Sequence, residues 1–135
     1  MGVKNYKELE VWQKAMELVV HVYRVSKNFP KEELFALTNQ LRRAAVSIPS
    51  NIAEGFGRDS HKDFVNFLLV SRGSLFEVGT QLDIATRLGY VSNTDDIEQL
   101  MDSIARMLGS LIRKLRTSAP STNSPRSHQA PSTRH

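Results

Sequence analysis

Hydrophobic positions recur along the chain at steps of three and four, the period that places one side chain per turn on one face of a helix. The clearest case is Leu34, Leu37, Leu41, Ala44/Ala45, Ile48, Ile52 and Phe56, which keeps phase through Pro49. A proline inside a helix removes a hydrogen bond and crowds the carbonyl four residues back, at ~3 kcal/mol. An unbroken stripe across it predicts one long helix, from about Glu33 to Phe56, kinked at Pro49 rather than split there. The opposite face carries Gln40, Arg43, Ser47, Asn51, Glu54 and Arg58. That face reads equally as ordinary solvated surface and as a surface built to meet a partner. Small residues beside the proline (Ser47, Ser50, Asn51) would leave the carbonyl of Ala45 accessible.

Three further helices follow from the same period. The first runs from Lys7 to about Ser26 on a seam of Leu9, Trp12, Met16, Val19 and Tyr23. A second apolar set, Val11, Leu18, Val22 and Val25, widens it to an arc of roughly 220°, whereas a surface helix of a monomer needs little more than ~100°. The third runs from about His61 to Leu88 on Phe64, Leu68, Ser71, Leu75, Val78, Leu82 and Ala85, with Val65, Leu69 and Phe76 on an adjacent face. Ser60 and Asp63 form its capping box, and Gly89 closes it. Gly73 and Gly79 inside it imply that another backbone comes close, since each costs ~1 kcal/mol against Ala. The fourth helix, capped by Asn93 or Thr94, carries Ile97, Leu100/Met101, Ile104, Leu108, Leu111 and Leu115. Asn28-Phe29-Pro30 breaks the chain after the first helix, and Gly55 and Gly57 offer left-handed backbone to end the second. No stretch alternates as a strand would. The fold expected is all-α: an antiparallel up-down-up-down four-helix bundle over residues 1–116. Residues 117–135, rich in Ser, Thr and Pro, read as a disordered tail.

Composition narrows the function classes. The chain has 135 residues, 40% of them hydrophobic, and no cysteine. One domain is expected, with neither disulfides nor thiolate chemistry. No apolar run approaches the ~18 residues a membrane span needs, and the N-terminus has no signal-peptide core, so cytoplasm is the expected location. Met1-Gly2 begins a myristoylation pattern that Tyr6 fails to complete.

A net charge of +4 and a pI near 9.6 favour a polyanionic partner. Arg42, Arg43, Arg58, Lys62, Arg72 and Arg87 punctuate the middle helices, and Arg113, Lys114 and Arg116 end the fourth. These are read either as solvated or salt-bridged charge, or as phosphate contacts whose affinity falls with salt. No aromatic residues alternate with them in sequence, which speaks against a stacking platform for single strands. The four histidines lie on different elements, no HExxH or Glu-x-x-His pair occurs, and Glu54 and Glu77 lack a partner in sequence. No metal, cofactor or catalytic constellation is expected.

The segments YKELEVWQKAMEL, FPKEELFALTNQLRRAAVSIPSNIAEGFGR and FVNFLLVSRGSLFEVGTQLDIATRLGY resemble the 23S rRNA intervening-sequence proteins over about residues 6–116. The resemblance implies an antiparallel four-helix bundle and a homopentameric ring, which would account for the surplus apolar arc of the first helix. Some members are encoded by insertions in 23S rRNA genes, and similar accessory proteins of diversity-generating retroelements bind nucleic acid and a reverse transcriptase through a basic surface. Two function classes result. One is a non-enzymatic oligomer bound to RNA through Arg42, Arg43, Arg58, Lys62, Arg72, Arg113, Lys114 and Arg116. The other is a structural or protein-interaction assembly with no nucleic-acid ligand. The oligomer contacts expected are Val11, Leu18, Val22, Val25, Val65, Leu69 and Phe76.

Overall fold

The computed structural model describes residues 2–118, and these form four α-helices and two short 3-10 turns. Helix α1 spans Glu10–Ser26, α2 Leu37–Phe56, α3 His61–Arg87 and α4 Asp95–Ser118, with the turns at Tyr6–Glu8 and Lys31–Glu33. Helix α4 therefore continues two residues past the boundary expected at 116. The expected disorder of the tail concerns residues that, from 119 onward, lie outside the described ones. Neighbours in sequence are neighbours in space, and α4 closes the bundle against α1.

Helices α2 and α3 share the most extensive contact. Ser47 meets Ser74, Ile48 meets Ser71, and Gly55 meets Phe64 and Phe67. The residue numbers run in opposite directions along the two helices, so they are antiparallel. Two hydrogen bonds stitch the contact: Ser71 Oγ donates to the Ile48 carbonyl at 2.9 Å, and Ser47 Oγ lies 2.9 Å from Ser74 Oγ. Helix α2 runs unbroken through Pro49, as the unbroken stripe predicts, and Pro49 is buried. The core is aliphatic, with Leu18, Leu41, Ile48, Ile52, Leu68, Leu75, Ile104 and Leu108 wholly buried.

Several expectations are corrected. The inner face of α1 is Val11, Ala15, Leu18 and Val22, whereas Met16 and Tyr23 of the expected seam are exposed. Val11, Leu18, Val22 and Val65 are thus occupied inside the chain's own core, and Val25 and Leu69 pack half-buried against it. Of the residues expected to meet a second copy, Phe76 alone is open, at 62% exposure. Helix α2 begins at Leu37, four residues late, because the chain leaves the turn at Lys31–Glu33 through Ala36, whose backbone (φ −126°, ψ −107°) is not helical. Neither Gly55 nor Gly57 is left-handed; the positive φ among glycines belongs to Gly89, at 81°. Gly73 faces open space and Gly79 faces the Met101 side chain, so neither answers to an approaching backbone. The close approach occurs at Gly55, where a Cβ would stand 2.7 Å from Phe67 Cβ and 3.3 Å from the Phe64 carbonyl. The polar face beside Pro49 is partly internal: Ser47 and Asn51 are half-buried, and Asn51 Nδ2 donates to both the carbonyl and the hydroxyl of Ser47.

The caps of α3 and α4 follow the expected residues. Ser60 Oγ accepts from Asp63 N–H at 3.1 Å, and Asn93 Oδ1 accepts from Asp95 N–H at 2.9 Å. Helix α2 lacks a capping side chain at Ala36; Glu33 supplies one from the preceding turn, its Oε1 accepting from Leu37 N–H at 3.3 Å. The other oxygen of Glu33 accepts from the Tyr90 hydroxyl at 2.8 Å, and the Tyr90 ring packs on Phe29. One carboxylate thereby ties the α1–α2 connection to the α3–α4 connection, at the same end of the bundle.

Two outcomes are expected. Gly55→Ala is destabilising by ~1–3 kcal/mol, because the added methyl overpacks the α2–α3 crossing, while Gly73→Ala is stabilising by up to ~1 kcal/mol; chemical denaturation measures both. The hydrogen bond to Glu33 raises the Tyr90 pKa above 10.0, helped by desolvation and by the charges of Glu33 and Glu32. A raised folded-state pKa contributes stability that is complete below the unfolded value and disappears as pH climbs through the folded one. Tyr90→Phe should therefore melt below the parent at neutral pH and converge with it above pH ~10.

Candidate nucleic-acid interface

The eight cations expected to meet phosphate do not form one surface. Arg42 and Arg43 lie in the first half of α2, near the end where α1 and α2 connect. Arg58 and Lys62 lie at the α2–α3 connection. The end of α4 returns to that place, since Ser118 Oγ is 3.4 Å from His61 Nδ1. Arg113, Lys114 and Arg116 therefore share the second end with Arg58 and Lys62. At 1.5 Å of rise per residue, the two groups are roughly 20 Å apart along the bundle axis. Arg72 sits between them, half-buried on α3.

Their surroundings also differ. Arg58 is partly occupied: it pairs with Glu54 at 3.2 Å and lies 4.8 Å from the centre of the Phe67 ring. Another ion pair joins Lys14 and Glu17 within α1. Inter-helix salt bridging thus does not account for Arg43, Arg72, Arg113, Lys114 or Arg116 among the described residues. Arg43, Arg113, Lys114 and Arg116 are exposed.

Arg42 is held in place. Its Nε donates to Ser26 Oγ at 2.8 Å, and Ser26 Oγ in turn donates to the Val22 carbonyl at 2.7 Å. Its guanidinium lies 4.6 Å from the centre of the Tyr23 ring, a cation–π contact. The terminal N–H groups of Arg42 make no bond among the described residues. Position 42 of α2 thus locks onto the last turn of α1, and position 43 points away from the bundle.

Between these helices runs an open groove of about 610 Å³, lined by Tyr23, Leu34, Phe35, Thr38, Asn39, Arg42, Arg43, Val46 and Ser47. Its lining contains two cations and no carboxylate. Phe35, on the segment left outside the helix by the late start of α2, is 89% exposed. Thr38 is 3% exposed, and its hydroxyl has no hydrogen-bond partner. A helical threonine usually bonds back to the carbonyl four residues earlier, but Leu34 lies outside the helix. Reading the sequence for alternating aromatic and basic residues missed this arrangement, because Tyr23 comes from another helix and Phe35 from a connection. The spacing of Tyr23 on α1 fits the inner seam equally well, but the side chain is exposed on the groove side.

Among the described residues no three His, Asp or Glu side chains gather as a metal site, and no helix is long and apolar enough to cross a membrane.

Comparison with known proteins places these features. A model of the 23S rRNA-intervening sequence protein family matches residues 7–110. Among solved structures, a protein of unknown function from the S23 ribosomal protein family of Bacteroides thetaiotaomicron superposes with a TM-score of 0.70 at 26% identity, over 76% of this chain and 95% of that one. Comparison with curated proteins gives no match.

Because the Thr38 hydroxyl is buried without a partner, Thr38→Val should leave stability unchanged or raise it by ~1 kcal/mol. Thermal denaturation checks this, and a clear loss of stability would show that the hydroxyl is satisfied within the fold.

Proposed function

The chain belongs to the 23S rRNA-intervening sequence protein family, and from that premise we propose that it is a non-enzymatic, self-assembling bundle that associates with RNA in the cytoplasm through its basic surface. The observation that carries this reading is the state of the cations. Arg43, Arg113, Lys114 and Arg116 stand exposed at both ends of the bundle without ion pairs among the described residues. Charge left uncompensated in this way is suited to phosphate, and each phosphate neutralised releases counterions.

Assembly rests on a second feature. Val70, Phe76, Ile84 and Leu88 leave apolar surface on the outer side of α3, and Met16 and Val20 do so on α1. Scattered exposed apolar residues are ordinary, but a run of them along one helix marks a contact surface. With Val11, Leu18, Val22 and Val65 committed to the core, the interface moves to the Phe76 side of α3. The assembly envisaged is the homopentamer that the family resemblance implies. The same apolar surface favours the second reading, a protein-interaction assembly with no nucleic-acid ligand.

Sedimentation at micromolar concentration and mobility shift on structured RNA test both parts. The expected results are a multi-copy species that Phe76→Glu dissociates, and RNA binding that weakens as salt rises. A monomer removes the assembly, and absence of binding at low salt removes the RNA reading in favour of the protein-only one.

A further inference from the structure

The groove between α1 and α2 has a composition that neither a purely hydrophobic contact nor a simple phosphate patch requires. Phe35, the most exposed large apolar side chain among the described residues, lines it together with Arg42 and Arg43. Such exposure leaves its ring available on both faces. Tyr23 is a less available face, since the Arg42 guanidinium already covers it. Arg42 is anchored through Nε, so its terminal donors are fixed in direction before any ligand arrives. Asn39 adds an exposed side-chain amide, a donor and an acceptor together. The floor holds the buried, unpartnered Thr38 hydroxyl.

From this juxtaposition we infer that the groove binds an unpaired nucleotide segment, with a base stacked on Phe35 and its phosphate held by Arg42 and Arg43. The inference rests on the reading of the protein as RNA-associated and specifies the partner of one site. The charge is complementary to an anion, since no carboxylate lines the groove. The aromatic ring demands a ligand with a free flat face, which bases in a duplex do not offer. The volume of about 610 Å³ lies in the range that holds a ligand of nucleotide size. Asn39 would meet base-edge or sugar groups, which gives a modest preference rather than a code. A second copy of the chain is the competing occupant. Its outer α3 face is largely apolar and would cover Phe35, but the anion for Arg42 and Arg43 would then have to come from Glu77 or Asp83, the exposed carboxylates near Phe76.

Fluorescence anisotropy on the full chain tests this, using a labelled unstructured octanucleotide as RNA, the same sequence as DNA, and the RNA annealed to its complement. Sedimentation velocity runs in parallel on every variant. Binding of a single strand more tightly than the duplex is expected, and the tighter of the two single strands identifies the source. Phe35→Ala should weaken that binding about ten-fold or more with no change in sedimentation. Arg43→Gln should weaken it and lower the dependence on salt by roughly one phosphate contact. Lys14→Gln, the same loss of charge on α1 outside the groove, should leave it unchanged. Wild-type affinity in Phe35→Ala overturns the inference while structured-RNA binding elsewhere still supports the broader reading. A change of assembly state in Phe35→Ala also overturns it and assigns the groove to a second copy. Absence of any nucleic-acid binding at low salt overturns both.

Discussion

The contact between α2 and α3 is the constraint on which the other features depend. Gly55 allows the two helices to meet with no room for even a methyl group between them and Phe67. Ser71 and Ser74 are buried at the same contact and hydrogen-bond to α2, so close approach leaves their hydroxyls satisfied. Fixed from this side, α2 turns its Ala45 and Ile48 into the core and its Arg43 to the outside. Arg42 then falls against the end of α1, where Tyr23 and Ser26 receive it. The geometry of the groove is thus a consequence of packing on the opposite side of the same helix.

A second constraint sets the other wall. Helix α2 has no capping side chain of its own at Ala36, and Glu33 caps it from a separate turn. The residues spanning that gap, Leu34 and Phe35, are held outside both the helix and the core. A helix starting at Glu33 would have brought Leu34 onto the inner stripe. The late start instead exposes it with Phe35, and the loop that results forms one wall of the groove. The Glu33–Tyr90 hydrogen bond holds this turn to the α3–α4 connection. The fold thereby offers a site built on a connection but anchored at both ends, which is the usual placement of binding residues on a rigid scaffold.

Much of this was legible in the residues. The number of helices, the capping box at Ser60, the seam of α3 and the continuity of α2 through Pro49 all follow from local spacing, and local spacing is what a single sequence displays. The rotation of α1 was not legible. Its apolar arc is wide enough that either Val11–Leu18–Val22 or Trp12–Met16–Tyr23 satisfies the helical period, and the choice depends on where α2 and α4 lie. The same ambiguity sets Val11, Leu18 and Val22 among the expected oligomer contacts, whereas they face the chain's own core. Glycine was equally ambiguous: Gly55 reads as a helix end and acts as a packing residue, whereas Gly73 reads as a packing residue and meets nothing. The groove is not legible in the sequence because Tyr23 and Phe35 lie on separate elements from Arg42 and Arg43, and only tertiary structure brings the four into one lining.

In the proposed mode of binding, the cations of α2 act together with an exposed aromatic ring, and not as diffuse charge. Photo-crosslinking of the full chain to unstructured RNA, followed by peptide mapping of the adducts, measures this most directly. Adducts concentrated on the segment carrying Phe35 and on Tyr23 are the predicted result. Adducts confined to the far end of the bundle, around Arg58 and Arg113 to Arg116, would contradict it.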